Sequence, residues 1–349
     1  MSTTLKIIFL LSGIVSVAGV AGFITWMARN YLRSAKVAVE LFLAITFVGL
    51  AGLVSSLWQA HKAELFVEVI ESECKSECKP VVNSALYGLG YQEGFSASTN
   101  FYRIWGFTGD RKQVDCGKAT KGGGTAVILV FGQSNAANTG ETKYEPSGPV
   151  YNYNFLDGKC YVARDPLLGA QGQSGSVWSR MADGLVASGV YDKVLLVPFS
   201  VGSTLVKNWA SGELSVSLAQ MIRDATANGI AFTHVLWHQG EADRTTDKES
   251  YRKSFLRLVD NIHNVGVNAP VFMSLGTICW YGQGGNPNKE LAKLQVEISE
   301  SRDDVYLGPN TDRFDRVKDR HDGCHFSDSA MDKIAEEWVS ILRKYEDDR

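Results

Sequence analysis

The chain has 349 residues, of which 45% are hydrophobic and 21% are charged, and its formal net charge at pH 7 is −3. This composition is sufficient for one folded domain of ordinary size and an additional segment. Lysine and arginine are neither in excess nor clustered, so the electrostatic footprint of a nucleic-acid-binding protein is absent from the sequence. We therefore expect no nucleic-acid partner.

Two long uncharged runs stand near the start of the sequence, at residues 7–28 and 41–60. Each is long enough to cross a hydrocarbon core of roughly 30 Å as a helix. We therefore predict a transmembrane hairpin over residues 1–62, with spans at about 7–28 and 38–60. The alternatives are a buried helical pair or a cleaved signal peptide, since Lys6 precedes the first run. That run exceeds a usual signal-peptide core, however, and a second span follows it.

Basic residues in the short connection between these runs predict the orientation of the hairpin. Arg29, Arg33 and Lys36 favour a cytoplasmic connection, although lysines on the other side of the spans weaken the contrast. The predicted location is a bacterial-type inner membrane, with a multi-pass anchor and the catalytic domain on the extracytoplasmic side.

The cysteines support an oxidising compartment, because they are even in number and all lie beyond the second run. They are Cys74, Cys78, Cys116, Cys160, Cys279 and Cys324. We predict a Cys279–Cys324 disulfide, since Cys279 follows a strand-like run and Cys324 lies in a loop expected at the same sheet edge. A structural zinc site or buried thiols are the alternatives, but no second close cysteine pair accompanies Cys74 and Cys78.

Residues 63–120 show no clean periodicity, and we interpret them as a juxtamembrane connector or small subdomain that packs on the domain after it. From residue 121 to 349, apolar runs alternate with helical patterns, which predicts βαβ units and a mostly parallel, doubly wound α/β sheet. The predicted strands are 125–131, 194–199, 233–237, 270–275 and 304–307, and the predicted helices are 177–189, 215–228, 248–265, 290–301 and 328–345.

Residues suited to acyl transfer lie just beyond these strands. Ser134, directly after the first strand, is the candidate nucleophile, and His325, ahead of the last helix, is the candidate general base. Asp322 stands three residues before His325 and is suited to accept its Nδ1–H, which fixes the useful tautomer. The backbone N–H groups of Ser134 and Gly202, with the Gln239 carboxamide, are candidate oxyanion donors.

The order Gly-Gln-Ser-Asn, Gly-Ser-Thr-Leu with a following Trp, His-Gln-Gly-Glu and Asp-x-x-His resembles the sialate O-acetylesterase-like branch of the SGNH hydrolases. The resemblance covers residues 125–349. It implies a flavodoxin-like three-layer α/β/α sandwich that removes O-acetyl groups from carbohydrates without a metal or other cofactor, with Ser134, His325 and Asp322 as the triad. One departure is the second block, where the glycine pair common in the family is Val201-Gly202.

Four further residues lie near these motifs. Asn135, Glu241 and Trp209 are predicted to bind substrate or to support the site, and Trp209 and Trp280 are equally well explained as sugar-stacking or core aromatics. Glu241 fits a structural role in its loop better than direct catalysis.

Three rival functions remain open at this point. The first is a metal site built from His238, Glu241, Asp243, Asp322 and His325, which leaves Ser134 and Gly202 unused. The second is a non-catalytic glycan-binding protein tethered to the membrane. The third is an O-acetyltransferase that modifies an exported polysaccharide, which would need a partner membrane protein to bring acetyl groups across.

Overall fold

The computed structural model describes residues 105–279 and 286–349. The predicted transmembrane hairpin, Cys74 and Cys78 lie outside these ranges. None of the helices within these ranges combines the length and the apolar character that a membrane span requires.

The described residues form eight strands and seven α-helices. The strands are β1 (Gln113–Val114), β2 (Thr125–Gly132), β3 (Val150–Asn154), β4 (Lys159–Val162), β5 (Lys193–Ser200), β6 (His234–His238), β7 (Val271–Leu275) and β8 (Val305–Asn310). The helices are α1 (Cys116–Thr120), α2 (Val177–Ala187), α3 (Val206–Ser211), α4 (Glu213–Ala227), α5 (Lys248–Asn264), α6 (Lys289–Glu300) and α7 (Asp328–Asp347).

All eight strands belong to one mixed sheet, in the order β1-β4-β3-β5-β2-β6-β7-β8. The strands from β3 to β8 along this order are parallel, while β4 is antiparallel to β3, and β1 is antiparallel to β4. Taken in chain order, β2, β5, β6, β7 and β8 are arranged 2-1-3-4-5, the order of flavodoxin-type doubly wound sheets. The predicted parallel α/β sheet is confirmed, and the antiparallel pair at one edge extends it.

Both faces of the sheet are covered by helices, because side chains alternate along each buried strand. On β2, Val127, Leu129 and Phe131 pack with residues of α3 to α6. The intervening Ile128 and Val130 pack on the other face with residues of α2 and α7. The result is a three-layer α/β/α sandwich.

The described end of the predicted connector, residues 105–120, packs onto this sandwich. Trp105 and Ala119 are buried in the same core as the sheet, and β1 extends the sheet through its pairing with β4. A disulfide joins Cys116 to Cys160 on β4. Residues 105–120 are therefore structurally continuous with the sandwich, while residues 63–104 lie outside the described ranges.

His234 on β6 is a titratable group inside the hydrophobic layer, and only 1% of it is exposed. Its Nε2 lies 3.1 Å from both the Tyr191 hydroxyl and Glu346 Oε1, and its Nδ1 lies 2.8 Å from Thr233 Oγ1. Burial lowers the pKa of His234 to about 4, and the Glu346 carboxylate opposes this shift only in part.

This burial makes the free energy of unfolding depend on pH. The unfolded chain, with a histidine pKa of about 6.5, binds more protons than the folded protein between about pH 4 and 6.5. The contribution of neutral His234 is therefore full above this window and is lost as the pH falls through it. Between pH 7 and 4, we expect the free energy of unfolding to fall by about 3 kcal/mol more in the wild type than in His234→Gln. Urea unfolding at the two pH values measures this difference. Parallel curves for the two proteins would contradict this assignment.

Candidate active site

Three predicted site loops begin side by side at one edge of the sheet. Gly132, the last residue of β2, is paired with Ser200 on β5 and with His238 on β6. Because these strands are parallel and in register, the loops that begin after them meet at the same edge. Ser134, Gly202 and Gln239 therefore lie in adjacent loops, as the sequence predicts.

Ser134 begins a short 3₁₀ turn that runs to Ala136. The chain leaves β2 through Gly132, whose φ is +139°, and a Cβ at this glycine would lie 2.0 Å from the His238 carbonyl oxygen. Only glycine fits this close approach. The turn is held by the Thr139 hydroxyl, which donates to the Ser134 carbonyl at 2.6 Å.

Asp322 and His325 form a close pair in the loop before α7. The distance between His325 Nδ1 and Asp322 Oδ2 is 2.6 Å, and the other carboxylate oxygen accepts the backbone N–H groups of Cys324 and His325. Because a carboxylate only accepts hydrogen bonds, the neutral His325 ring carries its proton on Nδ1, and Nε2 of that neutral ring is a proton acceptor. This is the tautomer that a general base requires.

Two contacts from residues that follow Ser134 join its turn to the His325 loop. Asn135 Nδ2 donates to the Cys324 carbonyl at 3.4 Å, and His321 Nε2 lies 3.0 Å from the Thr139 carbonyl. The predicted Cys279–Cys324 disulfide is confirmed, and it ties the residue before His325 to the segment after β7. The predicted nucleophile and base thus belong to loops that are joined directly.

Gly202 lies against the nucleophile. A Cβ placed on Gly202 would be 3.5 Å from the Ser134 Cβ, so the backbone of this residue approaches the serine closely. Its N–H donates to the carboxamide Oε1 of Gln171 at 2.5 Å. Gly202 therefore lies beside Ser134, and its role as an oxyanion donor stays a prediction.

Gln239 is arranged differently from the prediction. Its side chain is fully buried, and Nε2 donates to the Thr204 carbonyl at 3.0 Å and to the carboxylate of Asp243. Both amide hydrogens are therefore used inside the protein, and none is left for an oxyanion in this structure. This corrects the predicted donor role, and the contacts make Gln239 a brace between the loops after β5 and β6.

Asn135 and Glu241 belong to a buried hydrogen-bonded cluster next to Ser134. Glu241 Oε1 accepts a 2.6 Å bond from Asn135 Nδ2 and lies 3.2 Å from His238 Nε2, and all three residues are buried. Burial alone raises the pKa of Glu241, but the charge and hydrogen bond of His238 and the hydrogen bond from Asn135 outweigh it, and the pKa is lowered. These contacts favour the supporting role among those predicted for Asn135 and Glu241.

Replacing Glu241 by alanine should destabilise the fold by about 3 kcal/mol, because it leaves His238 and Asn135 buried without their shared acceptor. Glu241→Gln keeps an acceptor oxygen and should lower the free energy of unfolding by less than Glu241→Ala does. The exposed Glu300→Ala is the control, expected to change the free energy of unfolding by less than about 0.5 kcal/mol. Equal losses for Glu241→Ala and Glu300→Ala in urea unfolding would refute the supporting role.

Trp209 does not form a sugar-stacking surface. It is fully buried, its Nε1–H donates to Thr204 Oγ1 at 3.0 Å, and its ring packs edge-on against Phe131, Phe199 and Trp237. The predicted substrate contact of Trp209 is therefore wrong, and the alternative, a core aromatic, is correct. Trp280 lies outside the described residues.

The rival metal site is not assembled among the described residues. Asp243 instead accepts hydrogen bonds from the Val206 N–H and the Thr246 hydroxyl. In the described part of the chain, the one group of three or more possible metal ligands in mutual reach is His321, Asp322 and His325, with ligand atoms within 4.8 Å of one another. This set shares only Asp322 and His325 with the predicted metal site.

Two residues that contact the loops of this region were not predicted from the sequence. Arg320 is 2% exposed, and its guanidinium donates to the carbonyls of Phe314, Thr311 and Cys324, which fixes the loop that carries His325. Gln171 contacts Gly202 from a loop that has no recognisable motif. Arg320 binds main-chain carbonyls of its own segment between β8 and α7, and Gln171 binds a residue of another loop, so no side-chain pattern in the sequence reveals either residue.

Comparison with known proteins identifies the family of the chain. Residues 124–340, more than half of the chain, match the family model described as carbohydrate esterase, sialic acid-specific acetylesterase. The chain belongs to this carbohydrate esterase family. It is accordingly a hydrolase that acts on ester bonds, and the family supports an acetylated carbohydrate as substrate. The match begins at β2 and includes all four site loops of this carbohydrate esterase.

Solved structures resemble the sandwich of this carbohydrate esterase. A protein from Arabidopsis thaliana has a TM-score of 0.52 and 17% identity over 63% of this chain and 98% of its own. A family 3 carbohydrate esterase from Clostridium thermocellum has a TM-score of 0.43 and 16% identity over 63% of this chain and 98% of its own. The first of these supports the fold alone. No curated protein matches the chain.

Proposed function

We propose that this carbohydrate esterase removes O-acetyl groups from a cell-surface or extracellular glycan through a Ser134–His325–Asp322 triad and an acetyl-enzyme intermediate. The observation that carries the proposal is the 2.6 Å pair of His325 and Asp322 in a loop joined directly to the turn of Ser134. A serine nucleophile needs a base that is held in one tautomer, and this pair supplies it.

The proposed reaction has two halves. The Ser134 hydroxyl oxygen attacks the acetyl carbonyl carbon while His325 Nε2 takes its proton, and the oxyanion is held by the backbone N–H groups of Ser134 and Gly202. The tetrahedral adduct collapses, and the sugar oxygen leaves with the proton from His325. Water, deprotonated by His325 Nε2, then attacks the carbonyl carbon of the acetyl-enzyme. The bond from this carbon to the Ser134 oxygen breaks, His325 returns the proton to that oxygen, and acetate leaves.

The proposed location is the extracytoplasmic side of a bacterial-type inner membrane, with the hairpin over residues 1–62 as the anchor. The disulfides Cys116–Cys160 and Cys279–Cys324 support an oxidising compartment, because such bonds persist there. The anchor itself stays a prediction from the two uncharged runs.

The test uses the full-length protein purified in detergent and a panel of O-acetylated saccharides. Release of free acetate, followed by mass spectrometry, is the expected result, together with labelling of the Ser134 peptide by a fluorophosphonate. Adding an unacetylated acceptor glycan separates the two acyl-transfer functions: acetyl appearing on the acceptor in place of free acetate would support the O-acetyltransferase instead. Absence of both acetate release and Ser134 labelling would contradict the proposal and leave the glycan-binding alternative.

A further inference from the structure

Gln171 is held next to the active site by its main chain. Its N–H donates to the carbonyl of Ser200, the last residue of β5, at 3.0 Å, and its own carbonyl accepts the N–H of Asn138 at 2.7 Å. Asn138 in turn lies two residues beyond the Ser134 turn, and its side chain donates to the Ala170 carbonyl at 2.9 Å. The main chain of Gln171 is therefore held between the end of β5 and the loop after Ser134, and its side chain can rotate without breaking these main-chain bonds.

The Gln171 side chain accepts the hydrogen bond of the Gly202 N–H, the proposed oxyanion donor. Its carboxamide Oε1 accepts the Gly202 N–H at 2.5 Å. A Cβ placed on Gly202 would be 2.9 Å from this oxygen and 3.5 Å from the Ser134 Cβ. The Gln171 carboxamide thus accepts the hydrogen bond that the Gly202 N–H would otherwise donate to an oxyanion beside Ser134.

A carboxamide and an acetyl ester present the same chemical group to this donor. Both offer an sp² carbonyl oxygen on a planar carbon, and the Gly202 backbone has a single N–H to donate. An acetyl oxygen that takes this hydrogen bond at full strength must therefore displace Gln171 Oε1. The fixed main chain means that this displacement is a side-chain rotation and leaves the loop in place.

We infer that Gln171 is a built-in competitor for the Gly202 oxyanion donor, which an incoming O-acetyl group must displace. This inference rests on the proposed function. The competition lowers the apparent affinity for substrate by the fraction of molecules in which the donor is available. A neutral hydrogen bond contributes about 0.5–1.5 kcal/mol, which corresponds to an effect of about 2- to 10-fold.

The decisive variants are Gln171→Ala and Gln171→Asn, which remove or shorten the competing carboxamide. Both should raise kcat/KM for 4-nitrophenyl acetate by about 2- to 10-fold, because the donor is then open. Both should also lower the inhibition constant of methylboronic acid by the same factor, since its adduct with Ser134 places an oxygen on the same donor. The exposed Gln173→Ala, two residues along, is the matched control and should change neither value.

A merely structural role for Gln171 predicts the opposite outcome. If its side chain only held the loop of Gly202 in place, both variants would lower kcat/KM and weaken boronate binding. That result, or unchanged values for both variants in a folded protein with a wild-type thermal unfolding curve, would overturn the inference.

The failure of the inference is distinguishable from the failure of the proposed function. An active, fluorophosphonate-labelled wild type with an unaccelerated Gln171→Ala variant refutes only the competitor role. A wild type that neither cleaves 4-nitrophenyl acetate nor is labelled at Ser134 refutes the esterase mechanism, and the competitor role with it.

Discussion

Replacing Ser134 by alanine is expected to lower kcat/KM for acetyl-ester hydrolysis by at least about 10,000-fold. Without the hydroxyl there is no atom to form the acetyl-enzyme, and the residual activity comes from the oxyanion donors and substrate binding alone. The fold should be unaffected, because the Ser134 contact identified in the turn, its carbonyl with the Thr139 hydroxyl, belongs to the main chain. The measurement is acetate release, with circular dichroism to verify folding.

The exposed Ser211 on α3 offers a matched control for this change. Ser211→Ala should keep wild-type kcat/KM, and its protein should still be labelled by a fluorophosphonate. If Ser134→Ala retained more than about one hundredth of wild-type activity, Ser134 would not be the nucleophile. The metal-dependent alternative would then regain support, and loss of activity in EDTA would identify it.

Much of the fold is visible in the sequence because buried parallel strands have an unmistakable pattern. β2, β5, β6 and β7 each contain at least three consecutive apolar residues, since both of their faces are covered by helices. β3 and β4 lack this pattern: β3 reads Val-Tyr-Asn-Tyr-Asn, and its two asparagines are buried only because their side chains find partners across the fold. Such partners are not encoded locally, so the antiparallel edge of the sheet was not predicted.

For the site as well, contacts between residues close in sequence can be predicted, and contacts between distant residues cannot. Asp322 and His325 are three residues apart, and a loop spacing of this kind is enough to predict their pairing. Position at a strand end says where a residue lies but not where its side chain points, which is why Trp209 turns out to face the core. Gln239 shows the same limit, since its amide hydrogens go to partners that only the folded loops bring within reach.

Replacing Asp322 by asparagine tests the tautomer argument directly, and we expect kcat/KM to fall by about 10,000-fold. Asparagine has nearly the same shape and keeps a carbonyl oxygen for the N–H groups of Cys324 and His325, so the loop should stay folded. Its amide Nδ2 would face His325 Nδ1, however, and an amide hydrogen donates where the carboxylate accepts. His325 would then carry its proton on Nε2, where it cannot accept the proton of Ser134.

The control is Asp315→Asn, because Asp315 is exposed and lies in the same segment between β8 and α7. This variant removes one negative charge without touching His325, and it should leave kcat/KM within about twofold of wild type. Nitrogen chemical shifts of His325 in both variants report the tautomer directly, independently of activity. A large loss of activity in Asp322→Asn with the proton still on Nδ1 would mean that Asp322 acts through the loop. Full activity in this variant would remove Asp322 from the triad and leave a Ser134–His325 dyad to be tested by His325→Ala.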